Sequence, residues 1–314
     1  MHSRLRTVST PVPGVAIWYD FVTAAEEAYL KIDAVGGDAT TSTAAAASLR
    51  PRKAWGWKDL NGRRSMYWGG TVTPSGSLIP APFPAFMDTA WPDILDRIAE
   101  TGVYDEWTGA NAKGKERGPN HCLVNEYLPS QGIMPHTDGP AYLACTSTLS
   151  LGSHTVLCLR SKPSHLATPP SSDNDPAATT TTSVSEEARA ASVAQVQKVD
   201  VLLPARSLVV LTGELYSDWL HGIAPIKGDS IESLRDCANW DDWWAYQRET
   251  SEDVGAVDKE REVVEAGKGW ERQRRISLTC RRVAGKVRNL GSMLGLGRSG
   301  GQQQQPGAAG IRAQ

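Results

Sequence analysis

The chain has 314 residues, 40% of them apolar, enough for a substantial core in one large domain or two ordinary ones. A formal net charge of −2 gives no overall attraction to nucleic acid or to an anionic membrane, although eight Lys or Arg and no acid fall between Arg272 and Arg298. Five cysteines, an odd number without a C-x-x-C pair, argue against a zinc ribbon or a disulfide framework and for a reducing compartment.

No apolar run approaches the roughly 18 residues of a membrane span, and MHSRLRTVSTPVPG lacks the apolar core of a secretory signal. Nucleus or cytoplasm is the expected location, with no membrane partner. Residues 1–14 are polar and proline-bearing and read as a flexible N-terminus. DFVTAAEEAYLKIDAV predicts a helix: Thr23 and Glu26 have capping-box spacing, and Val22, Ala25, Tyr29 and Ile32 recur at helical intervals. Residues 35–51 read as a flexible loop. Aromatic and basic residues interleave from Trp55 to Tyr67, and WGGTVTPSGSLIPAPFP reads as turn-rich irregular structure. A short helix is expected from Pro92, with Ile94, Leu95 and Ile98 inward.

After Asn120 the texture changes to short β-type runs: CLVNEYL, the segment around His136, TSTLSLG, HTVLCLR, KVDVLLP, RSLVVLTG and RRISLTCRRV. Many short strands with turn signals and few helices between them favour an antiparallel sandwich or barrel over a parallel α/β sheet. Two inserts interrupt them. Residues 161–196 are poor in large apolar groups and read as disorder or a surface excursion. Residues 228–270 are charged and tryptophan-bearing, and are expected to hold a helix and pack locally. The final GQQQQPGAAGIRAQ is low-complexity tail.

The chemistry begins at GIMPHTDGP. In an extended His136-Thr137-Asp138 the imidazole and the carboxylate leave one face of the strand and aim at one point, which suits a metal ion. His221, in WLHGIAP just beyond the strand RSLVVLTG, completes a two-histidine, one-carboxylate set of the type that holds ferrous iron and leaves adjacent positions open. In RRISLTCRR, Arg275, Ser277, Thr279 and Arg281 share one strand face, opposite Ile276, Leu278 and Cys280. Two such arginines inside a barrel demand solvent or a carboxylate-rich ligand. The planar fork of Arg275 suits a carboxylate, with neighbouring hydroxyls adding hydrogen bonds. Asn125 and Tyr127 point together, opposite Val124 and Glu126. His121, His154 and His165 read as structural.

The run NHCLVNEYLPSQGIMPHTDGPAYLACTSTLSLGSHTVL, with WLHGI and RRISLTCRRV, resembles the AlkB family of iron(II)- and 2-oxoglutarate-dependent dioxygenases, and its wording is most similar to the sixth AlkB homologue subfamily. The resemblance implies a mainly β chain with flanking helices around a double-stranded β-helix (jelly-roll) core. It also implies a single domain over residues 15–290 carrying the two inserts, followed by the tail 291–314. His136, Asp138 and His221 would bind Fe(II). Arg275 would take the distal carboxylate of 2-oxoglutarate, Arg281 would lie near its metal-bound end, and Asn125, Tyr127, Ser277 and Thr279 would contact it. Oxygen is the third reactant. Oxidative demethylation would release succinate, CO2 and formaldehyde.

Ser277 stands where the family's arginine strand usually carries Asn, and the inserts are long, which leaves the substrate open. Trp55, Trp57, Arg63, Arg64 and Trp68 are candidate contacts for stacked bases and phosphates. Single-stranded nucleic acid or a flipped base is the expected partner class. The alternatives are a dioxygenase acting on a protein or small molecule, and a low-activity module that binds nucleic acid or a protein partner on the same fold.

Overall fold

The computed structural model describes residues 5–35, 56–109, 112–162 and 197–287. The expected loop 35–51 after its first residue, the insert 161–196 after Lys162, Trp55, His165 and the tail 291–314 lie outside them.

Two antiparallel sheets face each other. The large one runs, in spatial order, β1 (Arg6–Thr7), β2 (Val15–Trp18), β12 (Leu208–Thr212), β9 (Tyr142–Leu151), β16 (Arg275–Val283), β7 (His121–Tyr127), β4 (Arg63–Trp68) and β3 (Lys58–Leu60). The small one runs β11 (Lys198–Leu203), β10 (Thr155–Ser161), β13 (Trp219–Ile223) and β8 (Ile133–His136). From β7 onward the chain passes back and forth between them: β7, β9, β12 and β16 go to the large sheet, and β8, β10, β11 and β13 to the small one. That winding is the double-stranded β-helix.

Period-two alternation distributes the side chains into layers. Between the sheets lie Leu157, Leu159, Val201, Leu203, Val209, Leu211 and Ile223. On the outer face of the large sheet, Val124, Leu149, Val210, Ile276, Leu278 and Cys280 pack under α1 (Ala24–Val35), α2 (Ala85–Asp88) and α3 (Ile94–Glu100). On the outer face of the small sheet, Val156 and Leu202 meet Ile231, Leu234, Trp240, Trp244 and Val257. These belong to α6 (Ile231–Arg235), α7 (Trp240–Thr250) and α8 (Val254–Ala266), the helices of the 228–270 insert; α4 (Asp105–Thr108) and α5 (Gly213–Ser217) precede them. The insert therefore walls the sheet on the side away from the inter-sheet space. Its base is closed by the pair β14 (Gly228–Asp229) and β15 (Trp270–Glu271), and by a buried cluster. Arg272 donates to both Asp229 carboxylate oxygens at 2.7 Å, and His154 Nε2 lies 3.1 Å from Asp229 Oδ2.

Several elements differ from expectation. Residues 6–7 pair with β2, and Val8 is buried, so the described part of the N-terminus is tied down. The capping box of α1 is present, with Glu26 N–H donating to Thr23 Oγ1 at 3.2 Å and Thr23 N–H to Glu26 Oε2 at 2.7 Å. Its buried face, however, runs Val22, Glu26, Leu30, while Ala25 and Tyr29 are exposed. Glu26 turns inward because Arg97 of α3 donates to it at 2.9 Å. The helix α3 starts at Ile94, two residues past the expected proline, with Ile94, Leu95 and Ile98 inward as the spacing required. Part of the stretch read as irregular is a hairpin, β5 (Gly70–Val72) with β6 (Leu78–Pro80), and WLHGI, to which the sequence assigns no element, is a full strand, β13.

Candidate metal centre

His136 and His221 are direct cross-strand partners on β8 and β13, with ring centroids 4.4 Å apart. One register step along, Ile223 faces Ile133, so three residues of β8 span what two of β13 span. This bulge, at Met134 and Pro135, lets Ile133 and His136 both look inward, and proline at such an irregularity removes no ladder donor. Asp138 is expected from the sequence to reach the site by strand parity, but β8 ends at His136, and Asp138 comes in from the segment beyond it.

The donor atoms of His136, Asp138 and His221 all lie within 4.8 Å of one another. His136 Nδ1 sits 2.9 Å from the Met134 carbonyl, which fits an N–H there and a free Nε2. Asp138 Oδ1 receives Arg281 Nη1 at 2.9 Å, while Oδ2 and His221 Nδ1 are buried without a hydrogen-bond partner among the described residues. Burial pushes the His221 pKa down to about 4 against the opposing pull of Asp138, so the imidazole is neutral near pH 7, the form a metal requires. A carboxylate with one oxygen spare, facing two imidazoles, fits a divalent ion such as Fe(II).

The cavity beside this cluster lies between the sheets and is lined from both. At its far end Arg275, 3% exposed, donates through Nη2 to Ser150 Oγ at 2.8 Å and stands over the Tyr127 ring at 5.6 Å. Its Nε and Nη1 have no partner among the described residues, and burial lowers its pKa to about 10. A buried guanidinium with two idle donors fits a carboxylate. Asn125, Tyr127, Ser277 and Thr279 line the same cavity, and Thr148 Oγ1 lies 3.2 Å from Thr279 Oγ1. Arg281 is held differently: burial opposes its charge most strongly, yet Asp138 together with Tyr142, Tyr216 and Tyr67 outweighs that and raises its pKa.

The expected substrate contacts divide. Arg63 donates to Oδ1 of Asn125, a residue that lines the cavity, at 3.1 Å. Arg64 points the other way, paired with Glu126 and standing over Trp57 at 4.6 Å. Trp68, 4% exposed, packs in the core with Phe86, so it offers no face to a base. Sequence reasoning missed Ser150, which holds Arg275; Thr146, which lines the cavity; and Tyr142, whose ring lies under Arg281. TSTLSLG carried a signal for the first two, since Thr146, Thr148 and Ser150 share one face of β9.

The sequence matches the 2OG-Fe(II) oxygenase superfamily over residues 69–281, and the chain belongs to that superfamily. Its relatives include AlkB homologues, the family that its motifs resemble. It is 31% identical over 175 residues to the probable RNA/DNA demethylase ALKBH6 of Danio rerio, covering 56% of this chain and 60% of that protein. Over 221 residues it is 24% identical to the tRNA (carboxymethyluridine(34)-5-O)-methyltransferase alkbh8 of Xenopus tropicalis, covering 70% of this chain and 26% of that one. The chain thus spans less than two thirds of either relative. Among solved structures, OsALKBH1 aligns over 88% of this chain and 99% of its own with a TM-score of 0.42 and 15% identity.

Proposed function

We propose that this chain is an iron(II)- and 2-oxoglutarate-dependent dioxygenase that oxidatively demethylates alkylated nucleic acid, DNA or RNA. The observation that carries the reading is one inter-sheet cavity with His136, Asp138 and His221 converging at one end and, at the other, Arg275 with Nε and Nη1 unpaired among the described residues. The superfamily match and the description of the Danio rerio relative as a probable RNA/DNA demethylase support it.

In this reading His136, Asp138 and His221 hold the iron, and Arg275 takes the distal carboxylate of 2-oxoglutarate, flanked by Asn125, Tyr127, Ser277 and Thr279. The bound iron, 2-oxoglutarate and O2 supply oxidising power that converts the cosubstrate to succinate and CO2 and hydroxylates a C–H bond; a hydroxylated N-methyl group then falls apart to formaldehyde. The chain's own contribution is positional. Arg281 pins Asp138 through one oxygen and keeps the other available. Leu157, Leu203, Val209 and Ile223 wall the cavity with hydrocarbon and keep bulk water from the reacting groups. A panel of methylated single- and double-stranded DNA and RNA, assayed for formaldehyde beside His136→Ala, tests the proposal. Formaldehyde that depends on His136 supports it, and none from any oligonucleotide removes the nucleic-acid substrate.

A further inference from the structure

The site-side face of the large sheet continues past the metal cluster as a stack of rings. Tyr67 of β4 lies on His121 of β7, centroids 5.3 Å apart and planes at 25°; His121 lies on Tyr142 of β9 at 5.7 Å and 29°. The Tyr142 hydroxyl is 3.2 Å from His121 Nδ1, and the Arg281 guanidinium stands over the Tyr142 ring at 4.2 Å. Arg281 in turn holds Asp138. The stack therefore begins at the proposed metal carboxylate and ends at Tyr67, whose phenol is within electrostatic reach of both Arg281 and Tyr142.

Tyr67 is 55% exposed, whereas His121 behind it is 2% exposed. Strand register explains why its bulk is not spent on the core: Met66 and Trp68 take the buried face of β4, leaving Tyr67 on the face of Arg63 and Ser65. A large ring kept on the open side of a strand, yet fixed in orientation by a buried partner, loses little freedom when something stacks on it. His121 is uncharged near pH 7, since burial and then Arg281 push its pKa down to about 4, so the column presents no buried charge of its own.

We propose that Tyr67 is a stacking platform for an unpaired nucleobase at the mouth of the metal pocket. This rests on the nucleic-acid reading above and gives the tyrosine the role first expected of the neighbouring tryptophans. Stacking on an aromatic face accepts any base, so the platform holds the strand in place without reading its sequence.

The test uses the full chain without added iron, and fluorescence anisotropy of a labelled single-stranded octamer beside the same octamer with one abasic position. Tyr67→Ala is expected to weaken binding of the intact strand by about 5- to 150-fold and to erase the preference for it over the abasic strand. Tyr67→Phe retains both, and the salt dependence keeps its slope because phosphate contacts are untouched. Mn(II) affinity of Tyr67→Ala, by calorimetry, stays at the wild-type value and shows the pocket intact. Wild-type binding that Tyr67→Ala leaves unchanged overturns the platform alone. No binding of any strand by the wild type overturns the nucleic-acid reading together with it.

Discussion

Arg281 and Asp138 form an ion pair at 2.9 Å in which each side chain is 4% exposed, and it joins the large sheet to the segment that carries the proposed metal ligands. Removing one partner of a buried pair strands the other charge. Arg281→Met is expected to lower stability by about 3–5 kcal/mol and Mn(II) affinity by about 10- to 100-fold. Calorimetry of unfolding and of metal binding measures both; unchanged metal affinity would falsify the pinning role.

Arg275 predicts the opposite sign. Its charge is buried with two nitrogens unpaired among the described residues, a cost that 2-oxoglutarate would relieve in the proposed reading. Arg275→Met should melt at or above the wild-type temperature without ligand, yet lose most of the thermal shift that 2-oxoglutarate gives the wild type. Its affinity for 2-oxoglutarate should fall about 10- to 100-fold, the loss of a charge-assisted pair.

The His121 pKa of about 4 lies below the ordinary 6.5, so the unfolded chain takes up the proton first. Its stabilising contribution is complete above pH 6.5 and is lost as pH falls toward 4. Between pH 7.5 and 5 this amounts to about 2 kcal/mol. Urea titrations at the two pH values should show His121→Phe losing that much less than the wild type on acidification, whatever its stability at pH 7.5.

Asp229 accepts two hydrogen bonds from Arg272, and both side chains are buried. Asp229→Asn leaves Arg272 uncompensated at the neck of the insert. Stability should fall by about 3–5 kcal/mol, and hydrogen exchange should accelerate first in residues 231–266. Mn(II) affinity at temperatures where the variant is folded should stay close to wild type, because the insert packs on the far face of the small sheet.

Much of this site was legible because β-strands repeat every two residues. RRISLTCRRV announced one polar and one apolar face, and β16 sends Arg275, Ser277, Thr279 and Arg281 inward and Ile276, Leu278 and Cys280 to the core. The same rule misled where the backbone is irregular. A bulge aims His136 and a non-strand segment delivers Asp138, neither of which parity could foresee. Trp68 failed as a base contact for a related reason: which face of β4 is buried depends on helices packed from elsewhere in the chain, whereas Tyr67, one residue away, is the exposed one. The location of the insert helices was equally hidden, since nothing in CANWDDWWAYQRETSEDVG says which sheet face it covers.

The two imidazoles come from the small sheet and the two guanidinia from the large one, so neither half alone amounts to an oxidation centre. A chain whose sheets have parted cannot bring these groups together, and in the proposed reading metal and cosubstrate would act as a clasp across the seam. Damage to the sandwich should therefore silence the chemistry before it lets a reactive centre act on whatever lies nearby.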